Sequence, residues 1–220
     1  MGIFNRIVGA YHGFRRKDSK ALLQWHEQGL SVPPPDYVKR RLIENYIEHY
    51  GITRFIETGT YMGSMLRFVA KKGIRCTSIE LSDDLFRAAQ EKFSGFNNVE
   101  LIHGDSGKVI PKVIKNLDEP ALFWLDGHYS HGVTAQGEKD TPIAEELAEV
   151  LNHHIADHVI LIDDVRCFTG QNDYPHLHDL LREIDANGKY QYLVHCDIIH
   201  LIPASNRASG YQPESLRRSA

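Results

Sequence analysis

The chain has 220 residues, 42% of them hydrophobic and 25% charged, which is the make-up of an ordinary globular domain with room for one sizeable core. Lys and Arg number 25 against 29 Asp and Glu, a formal charge of -4, which argues against a protein built mainly to neutralise nucleic-acid phosphates. No apolar run approaches the roughly 18 residues needed to cross a bilayer. Three scattered cysteines, Cys76, Cys167 and Cys196, supply neither a disulfide framework nor a zinc ribbon and point to reduced thiols in a cytoplasmic protein.

The first twenty residues set Arg6, Arg15, Arg16, Lys17 and Lys20 against Asp18 alone. Ile3, Phe4, Ile7, Val8, Tyr11 and Phe14 recur at helical spacing, so this is a basic amphipathic helix suited to packing on its own domain, to a dimer contact, or to weak contact with a membrane surface. Gly2 invites a myristoylation reading, but Arg6 stands where that motif wants Ser or Thr. A second helix is expected around residues 19–28, then an extended stretch at Pro33-Pro34-Pro35. Asp36 is expected to cap a helix reaching Tyr50, with Ile43, Tyr46 and Ile47 as its apolar stripe and Gly51 at its end. Residues 1–50 therefore read as a helical extension of the domain.

From Gly51 onward strands and helices alternate. Strands are expected at 52–57, 75–81, 99–103, 121–125 and 159–162, and helices at 64–72, 83–93, 107–116, 141–153 and 175–186. Two further strands, 190–195 and 198–203, have no helix between them and must form an antiparallel hairpin. The pattern predicts a Rossmann-like, doubly wound, mostly parallel α/β sheet over residues 51–204, closed by that hairpin and followed by a polar tail at 205–220.

In such sheets ligands bind beyond the carboxyl ends of the strands. The polar residues collect there: Glu57, Gly59, Thr60 and Gly63, then Glu80, Asp105 and Ser106, Asp126 and His128, and Asp163 and Asp164. A dinucleotide loop needs three glycines for close approach to a pyrophosphate. This loop has Gly59 and Gly63 only, directly preceded by Glu57, a carboxylate unfavourable beside phosphate and favourable beside a cation. S-adenosylmethionine, with a sulfonium and an ammonium and no phosphate, meets that requirement. Glu80, about 20 residues past the loop, is the candidate for the ribose hydroxyls, and Asp105 with Ser106 for the adenine.

Glu57-x-Gly59-x-x-x-Gly63, Glu80, Gly104-Asp105-Ser106 and Leu125-Asp126 together resemble the motifs of the class I S-adenosylmethionine-dependent methyltransferases, over residues 52–204. The resemblance implies a seven-stranded sheet, cofactor over the first three strand ends and acceptor near the fourth and fifth, with Asp126 at the cofactor's acceptor side. Thr60-Tyr61 departs from the small residues common in that loop.

Asp126, Asp163 and Asp164 end neighbouring strands, where three unpaired negative charges call for a cation. Oxygen-only ligands favour a hard ion such as magnesium. The arrangement resembles the metal-dependent O-methyltransferases of the catechol and macrolide-sugar type, in which vicinal hydroxyls of the acceptor chelate the ion. Those catechol enzymes carry a lysine base three positions after the first aspartate. Tyr129 stands there in this chain, so His128 is the candidate base, beside Asp126. Asp164 pairing with Arg166 is the competing structural reading. The remaining histidines, including His153, His154 and His158, read as surface.

The expected activity is methyl transfer to a hydroxyl of a small polar acceptor (a sugar, polyol or catechol-like molecule), with S-adenosylmethionine and a divalent ion such as Mg2+, and without a nucleic-acid partner. The alternatives are a nucleotide- or NAD-linked enzyme on the same sheet, and a catalytically silent scaffold that keeps the cofactor fold.

Overall fold

A computed structural model describes residues 23–30, 32–127 and 141–205. Residues 23–27 are helical, and the chain then builds α1 (Asp36–Tyr50), β1 (Arg54–Thr58), α2 (Ser64–Ala70), β2 (Arg75–Glu80), α3 (Asp83–Phe93), β3 (Val99–His103) and α4 (Ser106–Ile114). It continues through β4 (Leu122–Leu125), α5 (Ile143–Asn152), β5 (Val159–Ile162), α6 (Leu177–Asn187), β6 (Tyr190–His195) and β7 (Ile198–Pro203).

The seven strands lie in the order β3-β2-β1-β4-β5-β7-β6. The first five are parallel, and β7 runs antiparallel between β5 and β6. The doubly wound sheet and its terminal hairpin are therefore as expected. The strand order reverses between β1 and β4, which opens a crevice at their carboxyl ends.

Strand alternation sorts the core into two layers. Phe55, Cys76, Leu122, Trp124, Val159 and Leu161 pack on one face with Ile43, Tyr46 and Ile47 of α1 and with residues of α2 and α3. Ile56, Ile79, Phe123, Leu125, Ile160 and Ile162 pack on the other with residues of α4, α5 and α6. Period-two alternation and helical stripes on both sides bury the sheet fully, as parallel strands require. Ile43 is fully buried, so α1 belongs to the core of the sheet domain.

Local chemistry explains most boundaries. Ser82 caps α3, its side chain accepting the Leu85 N–H, and Gly51 and Gly188 end α1 and α6 in the left-handed conformation. Asp36 turns out to be the first residue of α1 with Pro35 at the cap position, and its carboxylate accepts from Arg40. Pro142 likewise precedes α5, while the Thr141 hydroxyl receives the Ile143 N–H.

The histidines expected at the surface divide differently. His153 and His158 are buried at the amino-terminal end of β4 and β5. The Ala121 N–H donates to His158 Nδ1 (3.0 Å), which leaves the His158 proton on Nε2 to reach His153 Nδ1 (2.9 Å). His153 Nε2–H then donates to the Ile114 carbonyl (2.9 Å). Every polar atom of both rings is used, which is how two imidazoles are tolerated inside.

Candidate active site

The crevice is lined by residues that follow the same alternation past the strand ends. Phe55, Cys76, Trp124 and Leu161 face α1 and α2, and two residues on from each stand Glu57, Ser78, Asp126 and Asp163. Asp126 and Asp163 each lie one residue beyond the paired Leu125 and Ile162.

Glu57 is fully buried on β1, and Ser78 Oγ donates to its carboxyl at 2.7 Å. Burial, against the pull of Ser78 and reinforced by Asp126 and Glu80, pushes its pKa up to about 8. The Thr60 hydroxyl meets Ser78 Oγ at 2.6 Å, so Thr60, Ser78 and Glu57 form one hydroxyl–carboxyl chain. The bulk that departs from the usual loop is thus tucked inward at Thr60, while Tyr61 stays exposed at positive φ. Gly59 has φ +79, and a Cβ there would lie 2.6 Å from the Asp126 carbonyl oxygen. Only glycine lets the β1 loop pass this close to the β4 exit.

Glu80 is buried and braces two turns, its carboxylate accepting the Tyr61 N–H (2.8 Å) and the Ser82 N–H (2.9 Å). Each oxygen keeps a further lone pair for a ligand hydroxyl. Asp105 caps α4 through the Gly107 N–H (3.1 Å) and lies 3.5 Å from Lys108. Ser106 lies near enough to Glu146 to pull its carboxyl pKa down against the effect of burial. The carboxyl of Glu146, a residue the sequence reading did not single out, is buried beneath the β4 exit. It accepts from Thr58 Oγ1 at 3.3 Å, and burial pushes its pKa up to about 7.

The acceptor-side carboxylates come to the rim but not as a naked cluster. Lys39 of α1 forms an ion pair with Asp163, whose side chain is 1% exposed. Burial pulls the Lys39 ammonium down, but Asp163, Asp126 and Asp164 together outweigh it and raise its pKa. Burial, then Asp126, raises the Asp163 carboxyl against the pull of Lys39. With one amine facing three carboxylates, the lysine keeps its proton. Asp164, at φ 61, turns to Arg166 (2.7 Å), and Arg166 also holds Asp197.

The sequence expectation placed a divalent ion on Asp126, Asp163 and Asp164. Among the described residues no three His, Cys, Asp or Glu side chains converge as metal ligands. Two of the three expected ligands already hold a cation of the chain's own, so the donor set as arranged does not fit a divalent ion. His128, the expected base, lies outside the described residues.

Two other residues escaped the sequence reading. Lys39 sits four positions before Ile43, on the apolar stripe of α1, and a lysine on a buried stripe is a signal of a buried partner. Tyr174, in the β5–α6 connection, stacks edge-on against Phe168 and feels Asp164 and Asp126. Burial raises its hydroxyl pKa, which makes it a hydrogen-bond donor and not a base.

No family model matches the chain. It is 37% identical over 65 residues to the ribosomal RNA small subunit methyltransferase A of Dehalococcoides mccartyi (strain CBDB1), a match covering 30% of this chain and 22% of that protein. Its architecture is similar to the O-methyltransferase from Bacillus cereus in complex with S-adenosylhomocysteine, with TM-score 0.59, 14% identity, and 91% of this chain against 97% of that one. It is also similar to the O-methyltransferase TomG from Streptomyces achromogenes, involved in tomaymycin synthesis and solved with S-adenosylmethionine, with TM-score 0.55, 16% identity, and 87% against 91% covered. A third similar structure is the S-adenosylhomocysteine-bound methyltransferase PaMTH1 from Podospora anserina, with TM-score 0.53, 17% identity, and 91% against 95% covered.

Proposed function

The chain has the class I S-adenosylmethionine-dependent methyltransferase fold, and from that premise we propose that it methylates a hydroxyl oxygen of a small polar acceptor. The observation that carries this reading is the buried Glu57 carboxyl beside the Gly59 loop, raised to about 8 by burial and by Asp126 and Glu80. Burial is the larger cause and the neighbouring acids the smaller, and a carboxyl so placed ionises readily only beside a cationic ligand, whereas a pyrophosphate would hold it protonated.

When bound, S-adenosylmethionine supplies a methyl group on a sulfonium, and transfer leaves a neutral thioether together with the acceptor's hydroxyl proton. Ser78, backed by Thr60, holds the Glu57 carboxyl, the group proposed to answer the cofactor's positive charge. Glu80 offers its spare lone pairs to the ribose hydroxyls while its N–H contacts keep the carboxylate oriented. Asp105 and Ser106, at the start of α4, border the adenine side. Asp126 stands between the two halves of the crevice, electrostatically in touch with both Glu57 and Asp163. The acceptor meets Asp163, Lys39 and Tyr174, polar groups that suit a hydroxylated molecule. His128 remains the proposed proton acceptor.

Calorimetric titration with S-adenosylmethionine, S-adenosylhomocysteine and NADH tests the reading. Binding of the first two and not the third is expected. Binding of NADH alone overturns the charge argument, and binding of none favours a silent scaffold.

A further inference from the structure

We propose that the Lys39 ammonium, delivered by α1, is the resident cation of the acceptor-side carboxylates, and that the acceptor hydroxyl is met by this organic cation instead of a divalent metal. The second half rests on the methyl-transfer reading, whereas the first does not.

Four observations converge on Lys39. Its side chain is 14% exposed and pairs with an Asp163 side chain that is 1% exposed, so neither charge is solvated and each depends on the other. Its ammonium lies 5.9 Å from the centre of the Trp124 ring, on β4, the strand that ends one residue before Asp126. Its stem rises from the stripe that buries Ile43, Tyr46 and Ile47 against the sheet, so core packing fixes where the charge sits. Arg166, joined to Asp164 and Asp197, serves the next carboxylate, which leaves Lys39 for the pair at β4 and β5.

The pair also has the chemistry to bind an alcohol. Asp163 Oδ1 is buried and has no hydrogen-bond partner among the described residues, while Oδ2 is held by Lys39. An acceptor O–H donating to Oδ1 completes the carboxylate, and a remaining ammonium N–H of Lys39 can donate to the hydroxyl oxygen of the same bound molecule. Lys39 thus positions Asp163 and supplies positive charge where a metal would polarise the hydroxyl.

The test uses the full chain with S-adenosylhomocysteine present and Mn2+ alone as probe, free Mn2+ being read by electron paramagnetic resonance. Wild type is expected to show no site tighter than about 1 mM. Lys39→Met is expected to gain a Mn2+ site at least about tenfold tighter than any in wild type. Adding Asp163→Asn to that variant is expected to remove it. Stoichiometric Mn2+ on wild type that Asp163→Asn abolishes overturns the proposal, as does a folded Lys39→Met that gains nothing. The wild-type titration decides the point even where Lys39→Met does not fold. Failure of S-adenosylmethionine to bind in parallel titrations, with Mn2+ behaving as expected, sinks the methyl-transfer reading and leaves the cation assignment standing.

Discussion

Glu57 shows how one side chain ties sequence to chemistry. Its carboxyl, held near 8 by burial first and by neighbouring acids second, is mostly protonated at pH 7. A cation placed beside it favours the ionised form, so S-adenosylmethionine binding at pH 7 is expected to release up to about one proton. Titrations in two buffers of different ionisation heat read this directly, and Glu57→Gln should erase the difference; identical heats in wild type contradict it. Gly59 makes a different demand. Gly59→Ala forces a left-handed alanine costing about 1–2 kcal/mol before its Cβ meets the Asp126 carbonyl oxygen. Lower stability in urea together with lost cofactor binding is the expected result.

Glu146 offers a test of sign. Its pKa is raised to about 7 in the folded chain, so its contribution is fully present below the unfolded value and is lost as pH rises through about 7. Glu146→Gln stays neutral, and its melting temperature relative to wild type should climb between about pH 4.5 and 8. A constant difference would show that Glu146 is not held protonated.

Elements carry the next set of consequences. α1 is an outlying helix by sequence but a core element by packing, since Ile43 is fully buried against the sheet. Ile43→Ala is therefore expected to cost about 2–5 kcal/mol in chemical denaturation, whereas a loss under 1 kcal/mol would detach α1 from the core. The β4 and β5 starts are joined by the relay from Ala121 through His158 and His153 to Ile114. Burial holds His158 down to about 4, so its stabilising contribution is full above the ordinary histidine value and falls away as pH drops from about 6.5 to about 4. His200, between the Tyr46 hydroxyl and the His195 carbonyl, is held down to about 4 by burial and acts in the same direction. His158→Phe should lose about 1–3 kcal/mol at pH 7 by orphaning the Ala121 N–H, yet show a shallower acid decline than wild type. An equally steep decline would assign the acid sensitivity to other groups.

At the scale of the whole molecule, the division of labour between sequence and tertiary structure is a matter of range. Apolar runs, helix stripes and the gap too short for a crossover between β6 and β7 are local, and they determined the strand and helix order, the doubly wound class and the terminal hairpin. The acidic rim was legible for the same reason: each strand ends where its apolar run stops, and in a parallel sheet those ends share one edge. Even the shared side of Glu57, Ser78, Asp126 and Asp163 is latent in the alternation of the strands. Which charges meet could not be read locally. Lys39 lies 124 residues before its partner Asp163, and only the packing of α1 on the sheet brings the ammonium to that carboxylate. The same holds for the buried histidines, whose polar letters suggested surface until the Ala121 N–H and the Ile114 carbonyl satisfied them. Sequence by itself determined the elements, their order and the acidic edge, because those follow from local periodicity. Tertiary structure alone decided which buried charges are compensated and by what, because desolvation and ion pairing depend on neighbours distant in the chain.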